Sequence, residues 1–250
     1  MSQPALHVQV GKLADAVGRP LYTRSGRVIA LTAIGERVAR YARDLARREA
    51  ELLAELSERP GPVTLAAGTG ALLYLIGDGI RRFDPSKRQL RILSLSGADA
   101  IAAVSDGRAD LAVATARVRA LRSIALGKVG SVVAMPSAHR LADRKRLTAR
   151  DLEGEAMIVP AEGSPHRARV AAAFEGAGIE LSISLEASGW EVMLQLVRLR
   201  LGLAVVNDFC RMPPSTAAVE FRGLDPIEYR LLWRGELSAA ATRLRDALAR

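Results

Sequence analysis

Cysteine is almost missing from this 250-residue chain, where Cys210 stands alone. One thiol cannot form an intramolecular disulfide and cannot build a zinc site that needs several cysteines. Cys210 therefore reads as a small, partly buried hydrophobe. Histidine is also scarce: His7, His139 and His166 fall in separate segments, without metal-ligand spacing or an evident carboxylate partner. There is no Gly-x-Ser-x-Gly and no phosphate-loop signature. Gly68-Thr69-Gly70 lacks the third glycine of a dinucleotide fingerprint, because Leu73 stands there. Ser164 and His166, two residues apart, do not by themselves make a nucleophile and its base. The expectation is a protein that is not an enzyme and holds neither cofactor nor metal. No apolar run reaches the ~20 residues that span a bilayer. Met1 is followed by the polar Ser2, Gln3 and Pro4 rather than by a secretory leader. A cytoplasmic protein without membrane contact is expected.

Acidic residues are in deficit. Lysine and arginine number 36 against 27 aspartates and glutamates, a net charge of +9. Such a surplus favours a polyanionic partner, most commonly nucleic acid. It is concentrated early, since residues 19–48 hold eight arginines (19, 24, 27, 37, 40, 43, 47 and 48) but only Glu36 and Asp44 as acids. Hydrophobic residues at 49% and charged residues at 25% are a globular balance, and the length allows one large domain or two unequal ones.

The first 60 residues read as almost wholly helical. Ser2 and Pro4 make a helix start, a cap followed by a proline in the first turn, and the helix runs to about Val17. Leu6, Val10 and Leu13 share its apolar face; Gln3, Pro4, His7 and Val8 point outward. Glutamine at the exposed start of a helix suits base edges in a major groove. Gly18 ends this helix. Residues 20–31 then read as a small hairpin with Arg24 and Arg27 near its tip, able to lay cations on phosphates or in a minor groove. Thr32 opens a long helix to about Ser57. Its apolar positions Ile34, Val38, Tyr41, Leu45, Leu52 and Leu56 form one stripe, most simply buried against a second copy of itself. Pro60, Gly61 and Pro62 stop it and mark a domain boundary.

Beyond Pro62, short apolar runs alternate with helical stretches. Strands are expected at residues 63–67, 90–95, 111–114, 131–135, 157–159, 183–186 and 203–206, and helices at 71–83, 98–105, 167–177 and 191–199. That alternation indicates βαβ units and parallel sheets. In such sheets ligands bind beyond the carboxyl ends of strands, where helix N-termini present free N–H groups. The loops there hold Thr69 and Gly70, Ser96 and Gly97, Thr115, Ser164, and Ser188 with Trp190. Each offers a hydroxyl or bare backbone, suited to a carboxylate or phosphate; each alone could equally be an ordinary helix cap. Arg167 is a further candidate contact.

The order Ser2-Gln3-Pro4-Ala5-Leu6, Gln9-Val10, Lys12-Leu13, Gly18, Pro20-Leu21, Arg24, Leu31-Thr32 and Gly35 closely resembles the LysR-type transcriptional regulators. The Gly107 to Asp110 turn before a strand extends the resemblance through the chain. It implies an α/β effector domain of two lobes (periplasmic-binding-protein-like, type 2), preceded by a partial winged helix-turn-helix and a long linker helix. Residues 1–31 would be recognition helix and wing, 32–59 the dimerising linker, and 60–250 the effector domain. Its first lobe would take about 60–135 and 208–250, its second about 136–207, with crossings near Met135-Pro136 and Asn207-Asp208.

By the same resemblance, Gln3, Pro4, His7, Arg24, Arg27 and Thr32 face double-stranded promoter DNA. The interlobe loops would hold a small, carboxylate-bearing effector, and the protein would be a homodimer or homotetramer. His7 stands where the family usually has serine, and Val8 where arginine is common, which alters a base or phosphate contact. The family also has two helices upstream of Ser2. A chain starting at Met1 is expected to leave Leu6, Val10 and Leu13 uncovered, through a misassigned start or a truncation that weakens DNA binding. The alternatives are a truncated regulator that forms mixed dimers and a small-molecule-binding protein of the same fold.

Overall fold

The computed structural model describes residues 3–25, 28–56, 62–83 and 90–249. Arg27, the Ser2 cap and the Pro60-Gly61 boundary lie outside them, as do the side chains of Gln3 and Pro4. Helix α1 (Gln3–Val17) leads into the antiparallel hairpin of β1 (Tyr22–Ser25) and β2 (Val28–Leu31), in which Arg24 pairs with Ile29. Helix α2 (Ala33–Leu56) follows. Thr32 caps it: its hydroxyl accepts from Gly35 N at 3.0 Å and donates to Pro20 O at 2.8 Å. Gly35 lies so close to the hairpin that a Cβ there would sit 1.8 Å from Leu21 O. Cap and glycine together fix the angle at which hairpin and helix meet.

The rest of the described chain builds two sandwiches of helices around a sheet. In the first lobe five strands lie in the order β4 (Leu90–Ser94), β3 (Val63–Ala67), β5 (Leu111–Ala114), β13 (Ile227–Trp233) and β6 (Arg122–Val129). The first three are parallel and the last two pairings antiparallel. Strand alternation sorts side chains to two faces. Val63, Leu65, Leu111 and Val113 pack with α3 (Gly77–Phe83) and α7 (Ala239–Leu248). On the other face Ala66, Ala112 and Ala114 meet Ala100, Ala103 and Val104 of α4 (Gly97–Ser105).

In the second lobe the order is β11 (Ala204–Asn207), β7 (Ser131–Pro136), β12 (Thr216–Phe221) and β8 (Arg146–Leu147). The parallel pair β9 (Met157–Val159) and β10 (Ile183–Glu186) extends it through the Met157–Leu203 bridge. Helix α5 (Pro165–Gly176) covers one face and α6 (Trp190–Arg198) the other.

Two expectations need correction. The sheets are mixed rather than purely parallel, because β6, β7, β12 and β13 add antiparallel neighbours. The crossings also lie elsewhere. Strand β7 pairs with β11 and β12, so the first crossing is at Gly130, ahead of Met135. The second runs through 222–226, between β12 and β13, because the chain after Asn207 returns once more to the second lobe. Asp208 braces the first crossing, accepting from Gly130 N at 2.9 Å and donating its own N–H to Gly130 O at 3.1 Å.

Helix α2 docks on the first lobe by its charged face. Arg43 Nε donates to Asp106 O at 2.8 Å, Arg40 lies 3.8 Å from the Asp106 carboxylate, and Asp44 pairs with Arg234 and Arg47. Burial pushes the Asp44 carboxyl up, but the Arg234 and Arg47 guanidiniums outweigh it and hold it below the usual range. The opposite face keeps its apolar stripe in solvent, with Tyr41 72% and Leu56 74% exposed and Leu45 and Leu52 exposed beside them.

Candidate functional site

The parallel strands of each sheet present their carboxyl ends to loops on one edge. On the first lobe these are the loops after β3, β4 and β5. Ala67 pairs with both Ser94 and Val113, and Thr69 Oγ1 lies 3.0 Å from Ser94 Oγ. Thr69 is exposed and Gly70 buried, while Thr115 is exposed at the end of β5. Ser96 is committed to capping α4: its hydroxyl accepts from Asp99 N at 3.2 Å and donates to the Asp99 carboxylate at 2.6 Å. Gly97 is the first residue of that helix. On the second lobe Ser164 precedes α5 without a side-chain cap bond, and the exposed Ser188 precedes Gly189 at the head of α6.

Of the expected residues, Gly70 and Trp190 meet across the lobes. A Cβ on Gly70 would lie 2.6 Å from Trp190 Cδ1 and 2.8 Å from its Nε1, so only glycine admits the indole at this separation. His166 packs edge-on against Trp190, ring centroids 4.7 Å apart, and donates from Nε2 to Val205 O at 2.8 Å. Burial holds the His166 pKa below its ordinary value, against the opposing pull of the Val205 carbonyl. Arg167 pairs with Glu186 and donates to Pro160 O.

Several residues of this region carry no local site signal in the sequence. Tyr74, on the π-helical turn Ala71–Leu75, stacks on Phe209 with ring centroids 5.8 Å apart, and Phe209 meets Tyr229 at 5.7 Å. Asn207 Nδ2 donates to Tyr229 Oη at 3.1 Å. Burial pushes the Tyr74 hydroxyl up to about 12, with the negative charge of the nearby Glu191 carboxylate adding to it. Burial likewise pushes the Cys210 thiol up to about 12, which leaves it a protonated, unreactive hydrophobe. These contacts make a clasp of Gly70 and Tyr74 from the first lobe against Trp190, Glu191 and Phe209 from the second. The signal that could have found it is aromatic scarcity: the chain has ten aromatic residues, and four of them gather here.

A separate cavity of about 350 Å³ lies at the far end of the second lobe, between His139, Glu155, Arg200 and Leu203. Of its ionisable groups, Glu155 is engaged with His139 at 3.3 Å and with Arg140, outside the lining, at 2.6 Å.

At the N-terminal end, His7 Nδ1 and Tyr22 Oη share a hydrogen bond at 3.1 Å, which fastens the hairpin to α1. Arg24 is exposed on β1. Leu6 and Leu13 are exposed, and so are Val28 and Ile29 of the hairpin. The Thr32 hydroxyl is used by the cap, which leaves that side chain a positioning role at the hairpin's base.

Among the described residues no helix is long and apolar enough to cross a membrane, and no group of histidine, cysteine or carboxylate side chains is placed to hold a metal. Residues 57–250 match the LysR substrate binding domain family. The HTH-type transcriptional regulator CysB of Burkholderia cenocepacia is 28% identical over 225 residues, 85% of this chain and 71% of that relative. A full-length OxyR variant from Pseudomonas aeruginosa superposes with a TM-score of 0.74 at 20% identity, covering all of this chain and 85% of its own. The BenM effector binding domain with its effector benzoate superposes with a TM-score of 0.64 at 17% identity, covering 75% of this chain and 90% of its own.

Proposed function

Because the chain belongs to the LysR family of transcription regulators, we propose that it reads promoter DNA with α1 and its hairpin and senses a small molecule between its two lobes. The observation that carries this reading is the docking of α2. Its charged face is tied to the first lobe by Arg43, Asp44 and Arg234, so a shift of the lobes moves the helix that carries the hairpin. Its apolar stripe faces outward, which supports pairing with a second α2 in a homodimer or homotetramer.

In the DNA complex Gln3, Pro4 and His7 face base edges while Arg24 and Arg27 lie on phosphates, as the basic concentration around them favours. Thr32 positions the hairpin. The effector carries a carboxylate, for which the Thr69–Ser94 hydroxyl pair and the strand-end N–H groups are suited. The benzoate of BenM, a carboxylate effector on the same fold, is consistent with that class. The relatives are named as regulators rather than catalysts, which supports a non-enzymatic role for this chain. Titrating labelled duplex from upstream of its own gene, with a scrambled duplex beside it, tests the DNA-reading half.

A further inference from the structure

Glu191 is out of place for a cleft that takes a simple anion. It sits in the first turn of α6 beside Trp190, near enough to the Tyr74 hydroxyl for its charge to act on it. Its Oε1 is buried and, among the described residues, meets no hydrogen-bond donor. Arg211 lies near enough to act on Tyr74 but makes no ion pair with Glu191 among the described residues. A buried carboxylate oxygen without a donor is costly, and a cation is the partner that relieves it. A ligand bearing only a carboxylate would set a second negative charge beside the first, where low dielectric magnifies repulsion. The first lobe, by contrast, offers donors: the Thr69 and Ser94 hydroxyls lie on the same strand edge as Gly70, which Trp190 covers.

We infer that the effector is zwitterionic, with its carboxylate on the Thr69–Ser94 side and an ammonium or guanidinium group taking Glu191 when the lobes part. The clasp is then a stand-in, with the Tyr74 hydroxyl as the group beside Glu191 that the ligand cation replaces. This inference rests on the sensing role proposed above and narrows it to amino-acid-like molecules.

The test is calorimetric titration of the intact chain with four probes: L-norvaline and 5-aminopentanoate as zwitterions, pentanoate as the carboxylate alone and pentylamine as the ammonium alone. At least one zwitterion is expected to bind about tenfold or more tightly than pentanoate and pentylamine. Glu191→Gln is expected to erase that advantage over pentanoate, and Glu191→Asp, which keeps the charge and controls for misfolding, to retain part of it. Pentanoate binding as well as the zwitterions, or a Glu191→Gln variant with its preference unchanged, overturns this inference and leaves the sensing role standing. Binding by none of the four overturns the inference; the DNA titration then judges the regulator reading on its own.

Discussion

Gly70 and His166 flank Trp190 from opposite lobes, and each gives a test that one substitution can run. A methyl group on Gly70 would overlap the indole, so Gly70→Ala must push Trp190 aside. The expected result is a red-shifted tryptophan emission and a loss of about 1–3 kcal/mol in stability, the range for overpacking a tight contact. The only other tryptophan, Trp233, is buried in the first-lobe core and serves as an internal reference. His166 titrates with a definite sign. Its folded pKa is lowered by burial, so below the ordinary value of about 6.5 the unfolded chain binds a proton that the folded chain declines. Stability should therefore be full above that value and fall as pH drops through it. His166→Gln, which keeps a donor for Val205 O, should flatten that part of a melting-temperature profile.

These residues were unevenly legible beforehand. Trp190 and Gly70 were read from their places after strands, by the rule that loops at carboxyl ends face ligands. Glu191 and Tyr74 were not, because the meeting of two lobes is a long-range fact that no local spacing encodes. Ser96 shows the double reading of a strand-end hydroxyl: the position that suits a ligand also serves its own helix through Asp99.

At the scale of elements, α2 carries the clearest argument. Two faces with opposite chemistry have two fates: the arginine and aspartate face is held by the first lobe, and the leucine stripe is bare. Replacing Leu45 and Leu52 together by glutamate should leave the fold and the Asp106 contact intact while reducing the solution mass, measured by light scattering, to that of a monomer. An unchanged mass would place the subunit contact elsewhere. This helix was legible because its amphipathic period is long and unbroken.

The strands β6 and β13 were missed for the converse reason. Arg122, Lys128, Glu228 and Arg230 interrupt their apolar residues, and as antiparallel strands with partly exposed faces they lack the continuous hydrophobic run of β5. The spacing over residues 71–83 predicts one helix, yet Ile76 separates a π-helical turn from α3. That turn is what carries Tyr74 to Glu191.

Taken whole, the molecule links a basic hairpin, a docked helix and two lobes closed on an aromatic clasp. The α/β class and two-lobed character were legible from alternating strands and helices together with the family pattern. The crossings were misplaced, because strand pairing, rather than composition, decides which lobe a segment joins. The reading of DNA by α1 and its hairpin is a claim about the intact chain and is best met there. Its most direct test is fluorescence anisotropy of the full chain on duplex from upstream of its own gene, at two salt concentrations, for wild type, Gln3→Ala and Arg24→Ala. Specific binding that weakens steeply with salt is predicted. Gln3→Ala should cost about 1–3 kcal/mol on the specific duplex alone, and Arg24→Ala should weaken specific and scrambled duplexes alike. Equal, salt-insensitive affinity for both duplexes, or no binding to either, would contradict the account.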